Sequence, residues 1–371
     1  MLSYLLLLAS AFAGLLDVEV LDVGQGDSIL IRTPAGKVVL IDGGTGKEDV
    51  VPMLQQRNID TINLLVGTHP HADHIGGLDE VISAITVKNY MDNGLPHTTK
   101  TYEKVMGLIE TEDIPYLTAV NGREFNLDDG IKISVIHPQD RPLRNTRSDL
   151  NSNSVVLRLT HGDNCFLFTG DAEEPTEDVL VQKGIEPCQI LKVAHHGSNH
   201  SSSTHFLNAI KPEIALISAG QNNRYNHPGE ETLERLERAG AKVYRTDVMG
   251  TIHLQSDGKQ VRVLKSSGHA KPKPVPDEIK PDDASIKMTA IEPPRLENKT
   301  TGDSVDGKFN INTANQSQLE SIPGIGPAKA SAIIAYRDSH GPFQSHQQLK
   351  NVHGIGDKLS KVIEQHTVIS E

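Results

Sequence analysis

The segment Thr68-His69-Pro70-His71-Ala72-Asp73-His74 comes one residue after the apolar run Ile62-Asn63-Leu64-Leu65-Val66. Such a run reads as a buried strand, so the fold must deliver three imidazoles and a carboxylate to a strand end. His69 and His71, two residues apart, can leave the strand on one side. Asp73 and His74 open an expected helix marked by Ile75, Leu78, Val81, Ile82 and Ile85. One turn can therefore serve two metal ions. Neutral imidazoles beside a carboxylate match the ligand chemistry of zinc or a similar ion. The alternative is a polar loop that happens to be rich in histidine, and few structural roles need that density.

The rest of the chain supplies the frame for such a site. With 371 residues and 37% apolar content, it is long enough for one large domain and a smaller one. Expected strands cover residues 18–23, 28–32, 37–41, 62–66, 132–136, 155–160, 165–169, 190–194 and 214–219. A hairpin of 251–255 and 260–264 is expected around Asp257-Gly258. Expected helices cover 49–57, 74–84, 101–111, 203–209 and 230–239. Strands interleaved with helices imply sheets covered by helices. Residues 266–307 differ in kind: prolines at 272, 274, 276, 281, 293 and 294, many charges and no apolar period read as a linker of low order. Cys165 and Cys188 lack the spacing of a thiolate metal site, and their pairing is not fixed by spacing.

The opening residues suggest export. An apolar stretch ends in Ala11-Phe12-Ala13, the small-x-small pattern of a leader cleaved after Ala13, which would put the mature chain in the periplasm or outside the cell. Left uncleaved, the same stretch would be an anchor. The first residues carry no Lys or Arg, so a buried first strand or a misplaced start is the alternative. No later segment has the roughly 18 apolar residues that span a bilayer.

Further candidate ligands lie downstream at other strand ends. Asp171 closes Leu167-Phe168-Thr169-Gly170-Asp171, where a charge needs a partner, and its two oxygens suit a bridge between ions; capping a following helix is its plainer role. His195 and His196 follow the apolar run 190–194, and His227 lies in Tyr225-Asn226-His227-Pro228.

Taken in order, Leu21-Asp22-Val23-Gly24-Gln25-Gly26-Asp27-Ser28, Leu40-Ile41-Asp42-Gly43-Gly44, the His69–His74 cluster, Phe168-Thr169-Gly170-Asp171, His195-His196-Gly197-Ser198 and Asn226-His227-Pro228 resemble the metallo-β-lactamase-fold domain of ComEC-type competence proteins. The resemblance covers about residues 16–264. It implies an α+β fold, an αββα sandwich with its site at one edge between the sheets. By the same resemblance His69 and His71 hold one divalent ion, Asp73, His74 and His227 hold the other, and Asp171 bridges them. His196, helped by His195, would sit over a substrate phosphate beside the catalytic Asp73, with Asp42 as a structural anchor. Many members of the superfamily place another histidine before the bridging Asp. Here the stretch reads Asp149-Leu150-Asn151-Ser152-Asn153-Ser154, and an amide oxygen of Asn151 or Asn153 is a weaker ligand. The first ion is then weakly bound, or Mn²⁺ rather than Zn²⁺.

An internal echo marks the end of the chain. Ile322-Pro323-Gly324-Ile325-Gly326-Pro327-Ala328-Lys329 returns as Val352-His353-Gly354-Ile355-Gly356-Asp357-Lys358, each copy between two helical patterns. The glycines permit a tight bend, and the next helix starts with unpaired backbone N–H groups able to bind phosphate. Lys329 and Lys358 lie just beyond. This region resembles the helix-hairpin-helix domain of ComEA-type proteins, which implies sequence-independent duplex DNA binding through Gly324, Ile325, Gly326, Lys329, Gly354, Ile355, Gly356 and Lys358. A hairpin used for protein contact is the alternative. The whole chain carries −12, while residues 308–371 hold six Lys/Arg against five Asp/Glu. A tail of +1 implies modest affinity and a shallow salt slope.

The expected organisation is a leader at 1–13, a hydrolase domain at 14–265, a linker at 266–307 and a small all-α tandem helix-hairpin-helix domain at 308–371. The expected activity is metal-dependent phosphodiester hydrolysis, with DNA as substrate and partner in uptake or scavenging. A hydrolase of another diester or a lactam, and a non-catalytic DNA-binding competence or surface protein, are the competing expectations. The membrane channel of ComEC-type proteins has no counterpart in this sequence.

Overall fold

The computed structural model describes residues 14–47, 50–264, 308–314, 316–352 and 354–369. The expected leader and linker lie outside the described residues.

Short apolar strands build two facing sheets. The first half of the chain runs β1 (Leu16–Val20), β2 (Ile29–Arg32), β3 (Val38–Ile41), α1 (Val50–Gln55), β4 (Thr61–Ile62), β5 (Leu64–Gly67), α2 (Ala72–Ile75), α3 (Leu78–Ala84), β6 (Thr86–Val87), β7 (Tyr90–Asp92), α4 (Lys100–Thr111) and β8 (Tyr116–Thr118). There follow β9 (Glu124–Asp128), β10 (Ile131–His137), β11 (Val156–His161), β12 (Asn164–Phe168), α5 (Glu174–Gln182), β13 (Ile190–Lys192), α6 (Thr204–Ile210), β14 (Ile214–Ile217), α7 (Glu230–Arg238), β15 (Lys242–Arg245), α8 (Thr246–Met249), β16 (Ile252–Ser256) and β17 (Val261–Leu264). One sheet has the order β17-β16-β1-β2-β3-β5-β7-β8, and the other β15-β14-β13-β12-β11-β10-β9.

Strand alternation assigns each side chain to a layer. Val18, Ile31, Ile41 and Val66 of the first sheet meet Leu157, Phe166, Phe168 and Leu216 of the second in a central core. The intervening residues point outward. Leu40 and Leu65 pack under Leu54, Val81 and Val105 of α1, α3 and α4. Leu167, Leu191 and Ile217 pack under Leu180, Phe206 and Leu236 of α5, α6 and α7. The result is an αββα sandwich. A one-residue slip in any of these strands would exchange its central and outer faces, so the pattern fixes register.

Parallel pairing in β3-β5-β7-β8 and in β12-β13-β14-β15 requires crossover helices, and it brings the following loops to one edge. Cys165 in β12 is disulfide-bonded to Cys188, just ahead of β13, with the Cα atoms 5.0 Å apart.

The expected helix at 74–84 is broken into α2 and α3 at Gly76-Gly77. A Cβ on Gly76 would stand 2.2 Å from the Ala72 carbonyl oxygen and 2.5 Å from that of Thr45, so the loop after β3 approaches too closely for any other residue. Strands β7, β8 and β15 and helix α5 were not expected. They are short or half-exposed and carry little periodicity of their own.

In the tail, β18 (Phe309–Asn310) precedes α9 (Gln316–Glu320), α10 (Pro327–His340) and α11 (Asp357–His366), and it pairs in parallel with β19 (Thr367–Val368). The helical pattern ahead of the second bend forms a 3-10 turn, His346–Asn351. Gly324 (φ 85°) and Gly354 (φ 78°) adopt the left-handed bend of each hairpin. Ile325 and Ile355, expected at a DNA surface, are only 4% and 3% exposed and join Leu319, Ile333, Leu349 and Ile363 in the core of this unit. They hold the hairpins together rather than face a ligand.

Candidate metal centre

The loop after β5 is pinned from beneath by Asp42, at the end of β3. Asp42 is buried with a left-handed backbone (φ 61°). Its carboxylate accepts from the Thr68 backbone N–H (2.7 Å), the Thr68 hydroxyl (2.7 Å) and His74 Nδ1 (2.8 Å). With its Nδ1 proton engaged there, His74 turns Nε2 toward Asp171 Oδ1, 3.1 Å away. Asp171 stands in the turn after β12, its backbone N–H donating to Ser154 Oγ (3.2 Å).

The turn after β13 brings the second pair of imidazoles. His195 and His196 both adopt left-handed backbone, φ 51° and 55°, at a cost of roughly 1–2 kcal/mol each. Such conformations persist where surrounding structure fixes them. Here the His195 N–H donates to the Gly170 carbonyl (3.0 Å), and the Ser198 N–H donates back to His195 (2.9 Å). His196 Nδ1 donates to the Ser218 carbonyl (3.0 Å). That leaves His196 Nε2 3.3 Å from Asp73 Oδ2 and 3.7 Å from Asp171 Oδ1.

Among the described residues three groups of potential ligand atoms result, two of which meet at Asp171; the third is Asp27, Asp42 and His74. Of the two, His69, His71 and Asp171 form one, and Asp73, His74, Asp171 and His196 the other, the atoms within each lying within 4.8 Å of one another. In the first group His69 Nε2 is 3.8 Å from Asp171 Oδ2 and 2.9 Å from His71 Nδ1. Asp171 belongs to both.

The expectation for His227 is corrected by this geometry. It joins none of these groups, and its ring centre lies 6.4 Å from that of His196 and 5.5 Å from that of His195, on the wall of the cleft. His196 takes the place expected of His227, because the left-handed turn folds its ring inward. Both rings line the cleft, but the His196 side chain is 1% exposed against 18% for His195, so His195 is the more accessible of the two. Asn153 is also corrected. Its amide is spent on Leu143 and on the Asp149 carbonyl, away from the centre. Asn151 is near the centre: its Nδ2 donates to Glu173 (3.2 Å), 3.5 Å from His195 Nδ1, while its buried Oδ1 has no partner.

The electrostatics favour a cation. Burial opposes charge on His74 and His196, yet Asp171 and Asp42 raise His74 well above the ordinary histidine value, and Asp171 with Asp27 raises His196 to about 10. His69 is held well below that value by burial and by His74. Negative charge is therefore in excess around Asp171. His74 Nε2, His196 Nε2 and Asp171 Oδ1 are buried and crowd together without a well-aligned hydrogen bond, which is rare for buried polar atoms and fits a shared cation. The donor set of imidazole and carboxylate suits Zn²⁺ or Mn²⁺.

Two supporting pairs carried no role in the sequence reading. Lys192 Nζ, fully buried at the end of β13, donates to Asp27 Oδ2 at 2.7 Å, and Asp27 Oδ1 lies 3.4 Å from His196 Nδ1. Glu173 lies 3.3 Å from His195 Nδ1 and is held by Arg147 (2.5 Å). The available signals were a lysine inside the apolar run 190–194 and an acid two residues beyond Asp171. A cleft of about 330 Å³ opens over the centre, lined by Gln25, His71, Asp73, Asn151, His195 and Tyr225 among others.

An αββα sandwich with imidazoles and carboxylates gathered at one edge defines a class. Residues 21–221 match the metallo-beta-lactamase superfamily, and the chain belongs to it. Residues 305–366 match the helix-hairpin-helix motif. The chain is 30% identical over 262 residues to ComE operon protein 3 of Bacillus subtilis, covering 64% of this chain and 33% of the relative. It is 34% identical over 243 residues to competence protein ComA of Neisseria gonorrhoeae, covering 64% and 32%. The tail is 45% identical over 60 residues to ComE operon protein 1 of Bacillus subtilis, covering 16% and 29%. The chain thus spans about a third of the length of the curated relatives that its first unit matches.

Proposed function

We propose that this protein is an exported, metal-dependent phosphodiesterase that cleaves DNA, with a tail that holds duplex DNA without reading its sequence, in the service of DNA uptake or scavenging. The observation that carries this reading is the convergence of buried His74 Nε2, His196 Nε2 and Asp171 Oδ1, none of them in a well-aligned hydrogen bond, at the floor of a cleft. His69, His71 and Asp171 would hold one divalent ion, the more weakly bound; Asp73, His74, Asp171 and His196 would hold the other. Bound ions would supply an activated water near neutral pH and offset charge on a phosphodiester.

The chain's own residues do the rest. Asp42 and the Ser218 carbonyl fix the ring orientations of His74 and His196, and Glu173 fixes His195. His195, facing the cleft, can donate to a phosphate oxygen or to the departing oxygen. In the tail, α10 and α11 each begin just beyond a bend, so their first N–H groups can donate to phosphate oxygens, with Lys329 and Lys358 in the first turn. The disulfide between Cys165 and Cys188 suits an oxidising compartment. Among the described residues no helix is long and apolar enough to cross a membrane.

The test is cleavage of DNA and of bis(p-nitrophenyl) phosphate with Mn²⁺, Zn²⁺ or chelator, on wild type and Asp73→Ala. DNA cleavage that needs metal and falls about a hundredfold or more in the variant supports the proposal. Cleavage of the small diester alone would point to a non-nucleic-acid substrate, and DNA binding without turnover of either to a non-catalytic role.

A further inference from the structure

Tyr225 stands at the rim of the cleft and is 48% exposed, one of three exposed large apolar side chains among the described residues. A single exposed tyrosine needs no explanation on its own. Its surroundings set this one apart. The ring stacks on His227, with centres 5.8 Å apart and planes 27° apart. The Arg224 guanidinium lies over the ring, 4.8 Å from its centre, and donates to the Tyr225 hydroxyl at 2.6 Å, so a base stacking on that face must displace it. His227 in turn meets His195 edge-on at 5.5 Å. A row of planar groups thus runs from the rim to His195.

The loop that carries this row is braced. Asn223 Oδ1 accepts from the backbone N–H of both Tyr225 (3.1 Å) and His227 (3.0 Å), while its Nδ2 donates to the carbonyls of Gly220 (2.9 Å) and His227 (2.5 Å). Tyr225 is held before any ligand arrives. The cleft beside it, about 330 Å³, lies at the small end of the range for small-ligand sites. Asp171 and His196 at its floor are buried, so a phosphodiester must descend between the loops to reach them.

We propose that Tyr225, backed by His227 and flanked by Arg224, is a stacking platform for one unpaired base, and that the substrate at the centre is single-stranded DNA. The inference rests on the phosphodiesterase reading above and adds which form of DNA enters the cleft. Any base presents a π-face, so such a platform is indifferent to sequence. A base in a duplex reaches it only by leaving its pair and its stack, which selects for single strands and frayed ends. Arg224 is positioned to meet a neighbouring phosphate of the same strand.

The experiment uses the full chain, as wild type, Tyr225→Ala and Tyr225→Phe, with metal and a single-stranded oligonucleotide or the duplex of the same sequence. Loss of one stacked base is worth about 5- to 150-fold in binding. Tyr225→Ala should raise KM for the single strand by about tenfold or more, Tyr225→Phe should restore it, and wild type should cleave the single strand faster than the duplex. A second readout is free of turnover: in chelator, a single strand carrying 2-aminopurine should be quenched by wild type and Tyr225→Phe but less by Tyr225→Ala. If wild type cleaves DNA while KM and quenching ignore the ring, or the duplex is cut as fast as the single strand, the platform is refuted and the hydrolase reading stands. If wild type cleaves nothing, the hydrolase reading fails, and equal quenching by wild type and Tyr225→Ala then refutes the platform as well.

Discussion

Lys192 and Asp27 carry opposite charges at 0% and 1% side-chain exposure, 2.7 Å apart, and their pairing is open to a direct test. At an effective dielectric near 20 the attraction at this distance is about 6 kcal/mol, of the same order as the desolvation of the two ions. The intact pair therefore adds little net stability. Breaking it does not cancel in the same way. Lys192→Met keeps the aliphatic stem and removes the ammonium, which leaves the Asp27 carboxylate buried with His196 at 3.4 Å and the more distant His74. Asp27→Asn removes the negative charge and leaves the buried Lys192 ammonium facing neutral acceptors alone, the new amide oxygen and the Val193 carbonyl at 3.1 Å. Each single variant should lose about 3–5 kcal/mol. The double variant should lose far less than their sum, giving a coupling energy of about 2 kcal/mol or more. The chain contains no tryptophan, so urea unfolding is best followed by far-UV circular dichroism, under oxidising conditions that keep the disulfide. Additive losses, or a loss below about 1 kcal/mol in Lys192→Met, would refute the reasoning.

Three further outcomes are expected. Saturating Mn²⁺ or Zn²⁺ should stabilise the wild type by about 3 kcal/mol at a hundred times Kd, and Asp42→Asn, by loosening His74, should weaken that affinity about 10- to 100-fold in a thermal-shift titration; equal affinities would remove Asp42 from its orienting role. Asp92 is raised to about 6 by burial, against which the Tyr116 hydroxyl and the Gly94 N–H pull only partly. Its unfolded value is lower, so the contribution of Asp92 to stability should be full below about pH 4 and fall by about 3 kcal/mol as pH rises to about 6. Asp92→Asn should flatten that decline in pH-dependent denaturation, and an unchanged slope would contradict the assignment. In the tail, Gly324→Val with Gly354→Val forces a β-branched residue into left-handed backbone at both bends. Duplex affinity measured by fluorescence anisotropy should fall about tenfold or more, and an unchanged Kd would exclude the hairpins as the contact.

The sequence made the strands of the central core legible, because an apolar run ending in Gly, Asp or His has few other readings. The runs 37–41, 155–160 and 214–219 fall on β3, β11 and β14 to within one or two residues. Strand β7 and edge strand β15 were not legible: each is held by its neighbours' hydrogen bonds rather than by a pattern of its own. The residues of the candidate site could be gathered from sequence, but their division between the two groups could not. His196 and His227 both follow buried strands, and only the paired left-handed residues at 195 and 196 decide which ring turns inward. Lys192 and Glu173 were hidden for a related reason: each meets a partner 165 or 22 residues away, beyond any local period.

His69, His71, Asp73 and His74 hang from the first sheet, whereas Asp171 and His196 hang from the second, so the gathered atoms straddle the seam of the sandwich. Any ion seated among them acts as a rivet driven through both layers. The halves of the domain could not then part without tearing it out, and chemistry and mechanical integrity would be lost in one event rather than by degrees.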